Sequence, residues 1–145
     1  MNNEAAVLAY FDDFVEAFAT FDGVRVAAKF GLPFMAKGQA DSCALFKSYE
    51  ALRAHFQVFL DDYKSKGCRE CRYSDLDLRW LGADSVLATV NWSLLGGSEA
   101  PILGWTESYL LSFIESRPLA FATIDHVNEG DTASSSEAEK QQAEQ

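Results

Sequence analysis

In "NNEAAVLAYFDDFVEAFATFDG", Val7, Phe11, Phe14, Val15, Phe18 and Phe21 recur at three- and four-residue spacing. Asp12, Asp13 and Glu16 gather on the opposite side. That periodicity predicts an amphipathic helix, capped by Asn2 or Asn3 and broken at Asp22-Gly23. A short second helix is expected over "GVRVAAKFG", with Asp22 as its cap, Gly31 as its stop and Pro33 forbidding continuation. "LPFMAKGQADSCALFKS" holds two short apolar runs around Gly38-Gln39-Ala40-Asp41, which predicts a hairpin. Ser48 then opens a third helix, with Leu52, Phe56, Phe59, Leu60 and Tyr63 as its apolar stripe and Gly67 after its end.

Beyond Gly67 the period changes to two, the signature of strands with one buried face. "ECRYSDLDLRWL" sets Leu76, Leu78 and Trp80 against Asp75, Asp77 and Arg79. "VLATVNWSLL" sets Val86, Ala88, Val90, Trp92 and Leu94 against Thr89, Asn91 and Ser93. "GWTESYLLSFI" sets Trp105, Glu107, Tyr109, Leu111 and Phe113 against Thr106, Ser108, Leu110, Ser112 and Ile114. "LAFATIDHV" is the last strand. Helices followed by a meander of strands define an α+β fold with the helices on one sheet face.

Composition sharpens this picture. The 145 residues suit one core, and the 13% aromatic content is enough to build a ligand cavity as well. The formal charge of −10 argues against nucleic acid as a partner, and no basic amphipathic helix suggests a membrane surface. No apolar run reaches a membrane span of roughly 18–20 residues, and the acidic start is unlike a signal peptide. Three cysteines fit a reducing compartment, so a cytoplasmic location is expected. Domain bounds of 1–128 follow, with an acidic, polar tail over 129–145 expected to be disordered.

The C-x-x-C of Cys68 and Cys71 invites a redox or metal reading. A reactive first cysteine needs a helix N-terminus, whereas Cys68 follows a helix C-terminus. Zinc needs about four ligands, and Cys43, His55 and His126 lack ligand spacing, so no metal and no cofactor are expected. No phosphate-binding glycine loop and no nucleophile elbow occur.

With "GLPFMAKG", "SYEALRAHF" and "GWTESYLLSF" in their places, this order of elements resembles the NTF2-like superfamily, nearest its SnoaL-like and ketosteroid-isomerase-like branches, over about residues 3–127. The resemblance implies a cone: three N-terminal helices packed on a curved antiparallel sheet of about six strands, with a pocket at the open end. It also implies a homodimer through the outer sheet face. Activities in the superfamily include isomerases, dehydratases, cyclases and epoxide hydrolases, and many members catalyse nothing, so fold alone assigns no chemistry.

Glu107 is the leading candidate acid/base residue, because an acid between Trp105 and Tyr109 on an apolar face would be desolvated. The resemblance places it on the strand where isomerase-like members carry an oxyanion-holding acid. Tyr10 matches their tyrosine donor in position, with plain core packing as its other reading. Their hairpin aspartate has no match, since Asp41 sits in a turn where Asp is common. Asp125 and His126 end the last strand and, as neighbours, face opposite ways, so one of them can reach the cone. His55 reads as a helix-edge residue. Phe14, Trp92, Trp105, Tyr109 and Phe113, with Tyr10, are the expected lining for a small apolar ligand. Two functions stay open: a pocket enzyme using cofactor-free acid–base chemistry, and a non-catalytic interaction or ligand-sensing module.

Overall fold

The computed structural model describes residues 3–127. In chain order it forms α1 (Glu4–Ala19), α2 (Gly23–Ala27), β1 (Phe30–Lys37), β2 (Cys43–Phe46), α3 (Tyr49–Ser65), β3 (Glu70–Trp80), β4 (Ser85–Leu95), β5 (Leu103–Ile114) and β6 (Arg117–Asp125). The tail over 129–145 lies outside the described residues.

Burial of its apolar stripe makes α1 the central helix: Val7, Tyr10, Phe11, Phe14, Ala17 and Phe18 are all buried. Fully burying a residue such as Val7 or Phe11 contributes about 1.5–3 kcal/mol, more than the helix's intrinsic propensity. Asn3 precedes the helix, but its side chain makes no capping bond. Caps at the other two helices are as expected: Asp22 accepts from the Val24 N–H at 2.9 Å and Ser48 from the Ala51 N–H at 3.2 Å.

The second helix stops sooner than expected. It ends at Ala27, and Gly31 belongs to β1. Gly31 serves close packing there, since a Cβ on it would stand 2.3 Å from the Phe121 ring. Gly23 has a similar reason: its Cβ would come within 2.6 Å of the Arg53 carbonyl oxygen, and its N–H donates to Gln57 Oε1 at 2.7 Å. That contact joins α2 to α3.

One six-stranded sheet runs β2-β1-β6-β5-β4-β3. The meander β3 to β6 is antiparallel throughout. The β1–β2 hairpin then joins the free edge of β6, with β1 parallel to it. The sheet is therefore mostly rather than wholly antiparallel, a correction to the expected fold, while α3 follows the hairpin in the order read from the sequence. Register shifts in β1, in β3 at Ser74–Asp77 and between β5 and β6 at Leu110–Leu111 bend the sheet around the helices. Asp75 takes a left-handed φ of 56° at the β3 shift.

Every second residue of β4 from Val86 to Leu94 is buried, the alternation of a strand with one wet face. Phe11 meets this face in edge contact with Tyr109, centroids 5.3 Å apart. On the other face small polar groups pair across strands. Ser85 and Ser112 hydroxyls lie 2.7 Å apart, as do those of Thr89 and Ser108, and Thr106 donates to Asn91 at 2.6 Å.

Candidate functional site

Between the sheet, α3 and the hairpin lies a cavity of about 840 Å³. Its apolar walls come from α1 (Phe14, Phe18), β1 (Phe30, Phe34), α3 (Phe56, Phe59) and β4 (Trp92, Leu94). Its polar end is built by β5 and β6. Alternation on β5 turns Trp105, Glu107 and Tyr109 inward together, and β6 adds Thr123 and Asp125.

Glu107 and Asp125 are directly opposed across the β5–β6 ladder. Burial raises the Glu107 pKa above its usual 4.5, and the side chains of Trp105, Tyr109, Thr123 and Asp125 oppose that rise by hydrogen bonding. Trp105 Nε1 donates to Glu107 Oε1 at 2.9 Å. Trp92 Nε1 donates to the Tyr109 hydroxyl at 2.8 Å, which leaves the Tyr109 O–H proton free to point at Glu107. A hydrogen bond between two carboxyl groups requires one proton between them, because an ionised carboxylate only accepts.

The cavity brings together Phe14, Trp92, Trp105, Glu107, Tyr109 and Asp125 of the residues expected in it. Three others lie elsewhere. Tyr10 is buried beside Phe11 and Phe14, and its hydroxyl donates to the Lys29 carbonyl at 2.8 Å, so a hydrogen-bond donor to a ligand is not available there. Phe113 lies towards the far end of β5, stacked on Trp80 at 6.4 Å. His126 faces the outer side, where its Nε2 lies 2.7 Å from the Ser108 hydroxyl.

His55 is a lining residue that helix periodicity did not single out. Its ring packs at 4.6 Å from Phe46 and 4.7 Å from Phe59, and burial lowers its pKa to about 4. The imidazole is neutral at physiological pH. Its lone position among Phe46, Phe56 and Phe59 in the sequence was the signal available. Asp41 lines the exposed rim, and Lys37, also lining, donates from Nζ to the Gly38 and Ala40 carbonyls at 2.6 and 2.7 Å.

All three cysteines are free, and Cys68 and Cys71 are buried. Burial first, then the neighbouring Cys68 and Glu70, push the Cys71 thiol up to about 12. Burial also raises Cys68, whose Sγ–H donates to the Glu70 carbonyl at 3.5 Å. Both thiols stay protonated and unreactive at neutral pH. Among the described residues no three His, Cys, Asp or Glu gather to hold a metal ion, and no helix is long and apolar enough to cross a membrane.

A curved, mostly antiparallel six-stranded sheet folded around helices over an inner cavity defines the α+β, cystatin-like class of NTF2-like domains. The chain belongs to the family described as NTF2-like protein (DUF6841), which matches residues 3–121. Among solved structures it is similar to an NTF2-like protein with a cystatin-like fold from Novosphingobium aromaticivorans, at TM-score 0.72 and 9% identity over 92% of this chain and 87% of that one. A cystatin-like protein of unknown function from Nostoc punctiforme gives 0.71 and 15% over 90% and 97%. Aln2 from a Streptomyces species gives 0.72 and 10% over 87% and 91%. At these identities the likeness is one of fold. Comparison with curated proteins gives no match.

Proposed function

We propose that the cavity binds a small, mostly apolar organic ligand, and that Glu107 and Asp125 act on it by cofactor-free acid–base chemistry of the isomerase, dehydratase or hydrolase type. The observation carrying this reading is the opposed carboxyl pair inside an aromatic cavity of about 840 Å³. That volume falls in the roughly 300–1,000 Å³ range of small-molecule sites. A carboxyl group donates when protonated and accepts when ionised, and the raised Glu107 pKa brings proton transfer closer to neutral pH.

The test is a screen of apolar compounds read by tryptophan fluorescence, since Trp92 and Trp105 line the cavity. Saturable quenching is expected, and Ala54→Trp, which places an indole in the cavity from the exposed side of α3, should abolish it. Any turnover found should fall by about 10²–10⁴ in Glu107→Gln. No saturable response across a diverse set would sink the pocket reading.

The alternative is a non-catalytic ligand-sensing or interaction module. It is favoured by the hairpin, whose Asp41 is exposed at the rim rather than poised inside. Binding without turnover would select it. We also propose a homodimer through the outer sheet face, supported by the exposed Met35, Leu45 and Ile124 there. Light scattering of the wild type and Ile124→Glu tests this; a wild-type monomer ends the idea. Free cysteines support a reducing, cytoplasmic setting.

A further inference from the structure

The hydrogen-bond donors and the charges of the cavity are both one-sided. The Trp105 indole N–H is directed at Glu107 and the Trp92 indole N–H at Tyr109. Tyr109 and Thr123 also bond towards Glu107. The strong donors at the polar end are therefore engaged by the protein, and they gather around carboxyl groups, which only accept when ionised.

Charge points the same way. The lining holds three carboxyl groups, Asp41, Glu107 and Asp125, against one lysine, Lys37. The Lys37 ammonium is held in the hairpin turn by the Gly38 and Ala40 carbonyls. His55, the remaining basic side chain, is neutral at physiological pH and packed among rings. A carboxylate or phosphate entering this space would meet like charge and few free donors. A cation would meet the carboxyl pair and the aromatic rings that line the cavity, among them Trp105, whose indole N–H is already directed at Glu107. Ring faces and a carboxylate together replace the hydration that a weakly hydrated organic cation loses on burial.

We propose that the ligand is an organic ammonium ion: an apolar, ring-sized amine whose protonated nitrogen sits at the Glu107–Asp125 pair. This rests on the reading that the cavity binds a small ligand. The amine supplies the donors and the positive charge that the site lacks, and its hydrocarbon body covers the phenyl walls.

The experiment compares three probes of one shape on the full chain at neutral pH: naphthylmethylamine, naphthylmethanol and naphthoate. Binding is followed by calorimetry. The amine is expected to bind at least about tenfold tighter than the alcohol, and the acid more weakly still. In Glu107→Gln/Asp125→Asn, checked for folding by circular dichroism, the amine and alcohol should become equal. An alcohol or acid that matches or beats the amine on the wild type overturns the ammonium proposal and leaves the pocket reading standing. A preference that survives in a folded double variant also overturns it. If the double variant does not fold, the wild-type order alone decides. If no probe binds and Ala54→Trp behaves as the wild type, the pocket reading fails, and the proposal with it.

Discussion

Glu107 on β5 and Asp125 on β6 stand opposite each other in the ladder, and both side chains turn into the cavity. Close to a tryptophan and a tyrosine, each constrains the protonation of the other. Much of what can be measured on this protein follows from that contact.

Glu107→Gln should stabilise the protein at neutral pH and not in acid. Burial raises the folded-state pKa of Glu107 above 4.5, so the folded state holds its proton more tightly than the unfolded state. Stability is then lost as pH rises from the unfolded pKa through the folded one. Glutamine removes the penalty and still accepts from Trp105. The thermal midpoint at pH 7 should rise by about 4 °C for each kcal/mol relieved, with no gain at pH 4. An unchanged or lowered midpoint at pH 7 would contradict the burial of the charge.

His55 should show the opposite pH dependence. Its folded pKa of about 4 lies below its usual 6.5, so the folded state resists protonation. Its contribution is fully present above 6.5 and is lost as pH falls towards 4. His55→Phe, which keeps the ring packing against Phe46 and Phe59, should lessen acid destabilisation near pH 5. Proton NMR of the imidazole checks the cause directly: a midpoint near 4 is expected, and one near 6.5 would refute it.

Tyr109→Phe should cost about 1–3 kcal/mol in chemical denaturation. It removes the acceptor of the Trp92 indole N–H in a buried place, and an orphaned buried donor carries its full desolvation cost. Trp92→Phe/Tyr109→Phe should recover part of that loss, because no donor is then left unpaired. A double variant less stable than the sum of the single ones would show that the bond is not the reason.

Thiol titration of the native protein should find one reactive cysteine. Cys43 is exposed, whereas Cys68 and Cys71 are buried with raised pKa values. All three should react after unfolding. Rapid modification of Cys71 in the native state would reopen the C-x-x-C as a reactive site.

Much of this site was legible along the chain, and the part that was not has a single structural cause. On β5, simple alternation put Trp105, Glu107 and Tyr109 on one face, and they share it. On β6 alternation alone fails. Ala120 faces inward opposite Leu111, so an unbroken strand would turn His126 inward and Asp125 out. The register shift at Leu110–Leu111 adds one residue at Phe121 and reverses the rest of the strand. Asp125 enters the cavity, and His126 leaves it for Ser108. Tyr10 was displaced from its expected role by a contact with Lys29, nineteen residues away in sequence, which helix spacing does not contain.

The sequence by itself determined what depends on neighbours a few residues apart: the stripes of α1 and α3, the caps at Asp22 and Ser48, and the two-residue rhythm that gives β4 and β5 a buried face. These follow from the fixed periods of helix and strand. Tertiary structure alone decided which strands meet and in what register. It joined β1 to β6, leaned His55 over the cavity and carried Asp125 past a bulge to face Glu107. Those choices are settled by packing between segments far apart in the chain, where local periodicity has no hold.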